Sequence, residues 1–344
     1  MSLAETRASV ISLVVGPGDH GVVRHAIAVG AAAGVKVARF PGVPTAAELA
    51  ALPGDATVAH LHYTDRLFGP DAATAAARVR DLAIRLERRL VIGLHDVPVL
   101  DGTPHSTLRV TAYRLVAGCA DVVLVASNHE RDRLYRCGID ADIGVVPLPI
   151  DCRGGLPAAQ ETGAVHGRTV GVLGFIYPGK GHEDVIEASS TLPSDVAVHA
   201  LGAPSDGHAD LVGTLARLAA RRGRRFAVTG RLHDATLALA LRRVDVPVVP
   251  GRTMSASASL GEWIGAGRRP IVASNDYTRE VAATAPGLMT MYDPKRPGQL
   301  GAALRAALNE PPSTWHAGHV PEVYSPDHVG RSHRRLYHRV ATRR

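Results

Sequence analysis

Short, mainly apolar runs recur along this chain. Each is followed by a longer stretch in which apolar residues return every three or four positions. In the first half the apolar runs cover residues 10–15, 35–40, 56–61, 90–94, 122–126 and 143–146, with helical periodicity between them, notably over 20–33, 72–88 and 130–137. In the second half the runs are 169–173, 196–201, 226–229, 246–249, 270–273 and 288–291, with helical patterns such as 208–221 and 300–308. Continuous apolar strands alternating with helices predict parallel sheets covered on both faces. Between the halves, residues 151–167 are rich in Gly, Ala and Pro and lack an apolar period, which predicts a linker. The chain therefore reads as an α/β protein. Two doubly wound, Rossmann-like domains, 1–152 and 168–310, face each other across a cleft, and a C-terminal segment, 311–344, ends in a basic helix.

Composition adjusts this picture only a little. A chain of 344 residues suits two ordinary domains, and 46% hydrophobic with 21% charged residues suits packed cores. Aromatics are 4%, so those cores must be built from Ala, Val, Leu and Ile. The net charge of +7 comes almost wholly from arginine; Lys36, Lys180 and Lys295 are the three lysines. Arginines cluster at 221–225 and again over 331–344, which read as solvated helix faces. The second cluster would also suit peripheral association with an anionic membrane surface at the inner face of the cell. It lacks the interleaved aromatics of a nucleic-acid site, so no nucleic-acid partner is expected. Cys119, Cys137 and Cys152, odd in number and unpaired in spacing, are expected as buried thiols in a reducing compartment. The apolar run at 10–15 is too short for a signal segment and no segment could span a bilayer, so the expected location is cytoplasmic.

Chemistry is expected at the carboxyl ends of the strands. After the run 246–249 comes a small-residue loop, then Ser257 and Ala258 at a helix start, with Glu262 about one turn and a half further along. Open amides and the helix dipole at such a start favour an anion. After 169–173 comes Gly174-Phe-Ile-Tyr-Pro-Gly-Lys180-Gly181: glycines allow close backbone approach and a lysine offers a point charge for phosphate. Gly16 to Gly21, with Gly18 and His20 inside it, is a glycine-rich turn after the first strand. His95-Asp96 ends another strand, as do His60 and His62, while Gly202 and Arg231 follow two more. His60 and His62 show no evident third ligand, so no metal is expected. Ser127 reads as an N-cap.

Together these motifs resemble the GT-B glycosyltransferases, and within them the retaining family-4 enzymes, over nearly the whole chain. Val172-Leu-Gly-Phe-Ile-Tyr-Pro-Gly-Lys-Gly looks like that family's glycine–lysine segment. Val249-Pro250, Ser257, Glu262, Ala266-Gly267 and Pro270-Ile-Val-Ala-Ser look like its strand, phosphate-binding turn and following strand. The resemblance implies a nucleotide-sugar donor and no cofactor. It gives Lys180 the donor diphosphate with help from the amides of Ser257 and Ala258, Glu262 the ribose hydroxyls, and His95 the transferred sugar. Gly18, Gly21, Gly174, Gly202 and Arg231 would complete the donor pocket. His20, His62 and Asp96 would meet a carbohydrate, lipid or small-molecule acceptor. Two positions depart from the family: Met254 stands where a first glutamate is usual, and Phe175 where an arginine is usual, with Arg252 or Arg231 as electrostatic substitutes. Two alternatives stay open: a nucleotide-sugar epimerase that uses the same architecture and, on these departures, a non-catalytic nucleotide-sugar-binding protein.

Overall fold

The computed structural model describes residues 9–152 and 168–343, so the predicted linker lies outside them save for Asp151 and Cys152. The first sheet is built from β1 (Val10–Val15), β2 (Lys36–Phe40), β3 (Val58–Tyr63), β4 (Arg89–Leu94), β5 (Val122–Val125) and β6 (Ile143–Val145). The helices between them are α1 (Gly21–Ala33), α2 (Ala46–Ala50), α3 (Asp65–Phe68), α4 (Ala72–Leu86), α5 (Pro104–Ala117) and α6 (Asn128–Arg136). All pairings are parallel, in the order β2-β1-β3-β4-β5-β6. β1, β3 and β5 are buried at every position, as continuous apolar runs require. β3 runs on to Tyr63, two residues past the predicted end, so His60 and His62 lie within the strand. Ser127 caps α6 as expected, accepting from the Glu130 amide at 3.1 Å.

The second sheet repeats the plan with β7 (Thr169–Leu173), β8 (Ala197–Leu201), β9 (Arg225–Val228), β10 (Val246–Val249), β11 (Ile271–Ala273) and β12 (Thr290–Tyr292). Its helices are α7 (His182–Ser189), α8 (Ala209–Arg221), α9 (Asp234–Arg243), α10 (Ala258–Gly265), α11 (Asp276–Thr284) and α12 (Gln299–Asn309). The order is β12-β11-β10-β7-β8-β9, again parallel throughout. Both cores are largely Val, Leu, Ile and Ala, as the scarcity of aromatics demands.

A last helix, α13 (Pro326–Thr342), packs on α1, β3 and β4 and buries Val329, His333, Leu336, Tyr337 and Val340. The chain thus forms two compact units, one of Met1–Pro149 with Glu322–Arg344, the other of Ile150–Pro321. The second unit extends beyond residue 310 for a physical reason. The buried Arg268 guanidinium donates to the carbonyls of Leu241, Arg242, Val244, Asp245 and Thr314 and lies 4.1 Å from the Trp315 ring centre. Burial lowers its pKa to about 10, and these partners tie the segment after α12 to the sheet.

Several arginines of the two basic clusters act within their own unit. Arg224 donates to the carbonyls of Ser190, Leu192 and Pro193, and Arg222 pairs with Glu187. Arg331 pairs with Glu322, and Arg339 and Arg343 both reach Asp142. Of the three thiols expected to be buried, Cys137 is buried, Cys119 is half-buried and Cys152 is exposed. The last follows the strand-rich core rather than lying in it. Among the described residues, no helix is long and apolar enough to cross a membrane.

Candidate functional site

In the second sheet the chain runs from β7 outward through β8 and β9, then returns to place β10 on the other side of β7. The strand order therefore reverses between β7 and β10, and the loops leaving those two strands flank a switch point where doubly wound sheets take ligands. The loop after β7 is built of residues that permit close approach. Gly174, Gly179 and Gly181 hold φ of +113°, +86° and +95°, which side-chain-bearing residues resist. A Cβ on Gly202 would lie 2.2 Å from the Gly174 carbonyl oxygen, so the position just after β8 can carry only glycine.

Lys180 folds back over this floor. Its Nζ lies 3.3 Å from where a Cβ on Gly174 would be, and it donates to Ser259 Oγ at 3.5 Å. Ser259 stands in the first turn of α10. Ser257 caps that helix, accepting from the Leu260 amide at 3.2 Å, and its Oγ lies 3.1 Å from Ser259 Oγ. An ammonium beside a helix N-terminus meets partial positive charge. No carboxylate pairs with it among the described residues, and burial alone lowers its pKa to about 8. Two sources of positive potential are thus packed together without an anion between them.

Of the residues expected in the donor pocket, Lys180, Gly174, Gly202 and Ser257 come together here. Ala258 and Glu262 are exposed on α10, and Arg231 is exposed beyond the end of β9. Arg252, one of the suggested electrostatic substitutes, forms a two-pronged ion pair with Asp184 on α7 at 2.7 and 2.9 Å, so its charge is already matched. Behind the lysine, His182 is buried, and neither ring nitrogen has a hydrogen-bond partner among the described residues. Burial and the Lys180 charge lower its pKa to about 4. Sequence reading passed over His182, which looks like an ordinary helix-start residue.

In the first sheet the order reverses between β1 and β3. The turn after β1 contains Gly18, where a Cβ would lie 2.7 Å from an Arg39 Nη2. It ends at His20, whose Nδ1 caps α1 by accepting from the Val22 amide at 3.2 Å. Gly21 is the exposed first residue of that helix. Alternation puts His60 and His62 of β3 on the same sheet face, with His95 just past β4. His62 Nδ1 and His95 Nε2 are 3.2 Å apart. His25 of α1 stands edge-on to both rings, with centroids 5.5 and 5.2 Å away. His60 Nδ1 meets Tyr337 Oη at 2.8 Å. Burial holds His25, His60 and His62 well below the usual histidine pKa, and takes His95 to about 4. Asp96 follows with φ +54°, a strained value for a residue with a side chain; its carboxylate accepts from Thr64 Oγ1 at 3.0 Å. A third imidazole beside His62 and His95 is present as His25, while His60 is bonded through Nδ1 to Tyr337. The place of His25, half-buried on α1 and five residues past the His20 cap, was the signal available in the sequence.

No family profile and no curated protein sequence matches the chain. Its structure is similar to solved ones over nearly its whole length. Anabaena HepE, solved with UDP and glucose, matches with a TM-score of 0.72 at 15% identity over 94% of each chain. Sucrose-phosphate synthase from Thermosynechococcus elongatus matches with a TM-score of 0.68 at 15% identity, over 97% of this chain and 96% of that one. The lipopolysaccharide outer core galactosyltransferase WaaB matches with a TM-score of 0.54 at 13% identity, over 96% and 97%. The fold is GT-B. At these identities the likeness speaks to architecture, and the chemistry has to be read from the side chains above.

Proposed function

We propose that this chain is a glycosyltransferase that binds a nucleotide sugar in its second unit and transfers the sugar with retention of configuration, in the manner of family 4. The observation that carries the reading is the Lys180 ammonium, set over Gly174 and 3.5 Å from Ser259 Oγ at the capped start of α10, with no carboxylate paired to it among the described residues. A diphosphate would supply the anion. As the glycosidic C–O bond breaks, negative charge gathers on the leaving phosphate, and fixed positive charge with aligned amides stabilises it without reorganising. Glu262 would accept from the ribose hydroxyls, and a carboxylate is a pure acceptor suited to that. HepE was solved with UDP and with UDP-glucose, which makes a UDP-sugar the first donor to try.

A second reading, donor binding without transfer, is favoured by Met254 and Phe175 in the places of charged residues, and by Arg252 being paired to Asp184. One experiment separates the two. A thermal-shift panel of UDP-, GDP-, ADP- and TDP-sugars identifies the donor by stabilisation of the folded state. Turnover is then assayed with that donor and a range of acceptors. Lys180→Ala and Glu262→Ala are each expected to cut transfer strongly with the fold intact. Unchanged turnover in both would sink the proposal, whereas stabilisation without transfer or hydrolysis would leave a binding protein.

A further inference from the structure

Three imidazoles carried by three different elements meet where the first sheet reverses its strand order. We propose that His25, His62 and His95 bind one divalent transition-metal ion, zinc in the first instance, with the remaining coordination position open to water or another oxygen ligand. The inference concerns the first unit alone and does not rest on the donor site of the second.

Distance is the first support. One nitrogen from each ring can be chosen so that all three lie within 4.8 Å of one another. Zinc–nitrogen bonds of about 2.0–2.1 Å in tetrahedral geometry hold ligand nitrogens roughly 3.3 Å apart. His62 Nδ1 and His95 Nε2 already stand at 3.2 Å. His25, half-buried on α1, has to close by no more than about 1.5 Å, within reach of a side-chain rotation.

The second support is a space with polar atoms aimed at it. A Cβ on Gly93 would lie 3.3 Å from His60 Nε2, 3.4 Å from His62 Nδ1 and 3.7 Å from His95 Nε2. Three ring nitrogens converge where glycine leaves no side chain. Of these, His60 Nε2 is buried with no hydrogen-bond partner among the described residues. Buried histidines that serve only packing usually have both nitrogens satisfied. An all-imidazole set suits zinc or a similar transition ion, whereas magnesium and calcium take oxygen donors.

The test uses the full chain, stripped with a chelator and dialysed. Zinc is titrated in competition with a chromophoric chelator, and cobalt is added separately to read its absorption. The expected result is one zinc per chain bound more tightly than micromolar, and a cobalt spectrum of tetrahedral nitrogen ligation. His25→Gln and His95→Gln, checked for folding by circular dichroism, should each weaken zinc by roughly 100-fold or more. His319→Ala, at an exposed histidine, should leave it unchanged. His25→Gln alters a half-buried helix position, so it reads out the site even if the change at His95 disturbs the sheet end. A wild-type chain that takes up no stoichiometric tight zinc would overturn the proposal, as would tight zinc that persists in a folded His25→Gln variant.

Discussion

The Lys180 ammonium has lost part of its hydration without gaining a counter-charge, and that imbalance has a measurable consequence. Its pKa in the free protein is lowered to about 8 by burial. A bound diphosphate would raise it, because opposite charge favours the protonated form. Donor binding should therefore take up a proton above pH 8 and none well below it. Affinity is expected to be flat below about pH 8 and to fall by up to roughly tenfold per unit above, until the bound-state pKa is reached. Calorimetric titration across that range measures it. Lys180→Met should remove the slope and weaken binding by roughly 10- to 100-fold; a slope that survives the change would assign the proton elsewhere. His182 behaves oppositely. Its folded pKa of about 4 lies below the ordinary 6.5, so the unfolded chain takes up the proton first as pH falls. Stability should decline from pH 6.5 downward, by at most about 1.4 kcal/mol per unit. His182→Leu, which buries no orphan nitrogen, is expected to raise the ligand-free stability by about 1 kcal/mol and to flatten the decline in urea melts at pH 7 and 5.

The elements around the lysine are held by glycines whose roles differ. At Gly202 an added Cβ would strike the Gly174 carbonyl oxygen at 2.2 Å, a backbone atom that cannot turn aside. At Gly207 φ is +78° but nothing lies within 4 Å. Gly202→Ala should therefore displace the Gly174 turn, and with it Lys180, and lower donor affinity clearly. Gly207→Ala should cost only backbone strain, on the order of 1 kcal/mol, and leave affinity unchanged. Equal effects would mean that the loop after β7 does not set the lysine. This division also explains what could be read in advance. β1, β7 and β10 match their apolar runs because a parallel strand covered on both faces is built mainly of apolar side chains. The Lys180 and Ser257 loops were legible because glycines and a capping serine act locally. α9 and α11 were not singled out: α9 buries only Leu237 and Leu241, and α11 only Tyr277, Thr278 and Val281, too few apolar positions to show a stripe. The histidine cluster is non-local, since α1, β3 and β4 meet only in the folded sheet.

At the scale of the whole molecule, α13 begins beyond the second unit in sequence yet closes the face of the first. It approaches α1 through Gly330, where a Cβ would lie 2.1 Å from the Ala32 carbonyl oxygen and 3.1 Å from the Ala33 amide nitrogen. These are helix backbone atoms, so no rotamer of a neighbour relieves the clash. Gly330→Val must therefore push α13 outward, lifting Leu336, Tyr337 and Val340 from Val58, Val91 and Leu124 and drawing Tyr337 from His60. Each such side chain contributes about 1.5–3 kcal/mol when fully buried, so partial exposure of three costs a large part of a domain's stability. The expected result is a markedly lower melting transition for the first unit, with earlier proteolysis of β3 and β4. The residues assigned to the donor diphosphate and ribose, Lys180, Ser257, Ala258 and Glu262, all belong to the second unit. Stabilisation by the preferred nucleotide sugar should therefore persist for the remaining transition. If it vanished together with the first unit, a donor pocket complete within the second unit would be untenable, and the first unit would have to supply part of it.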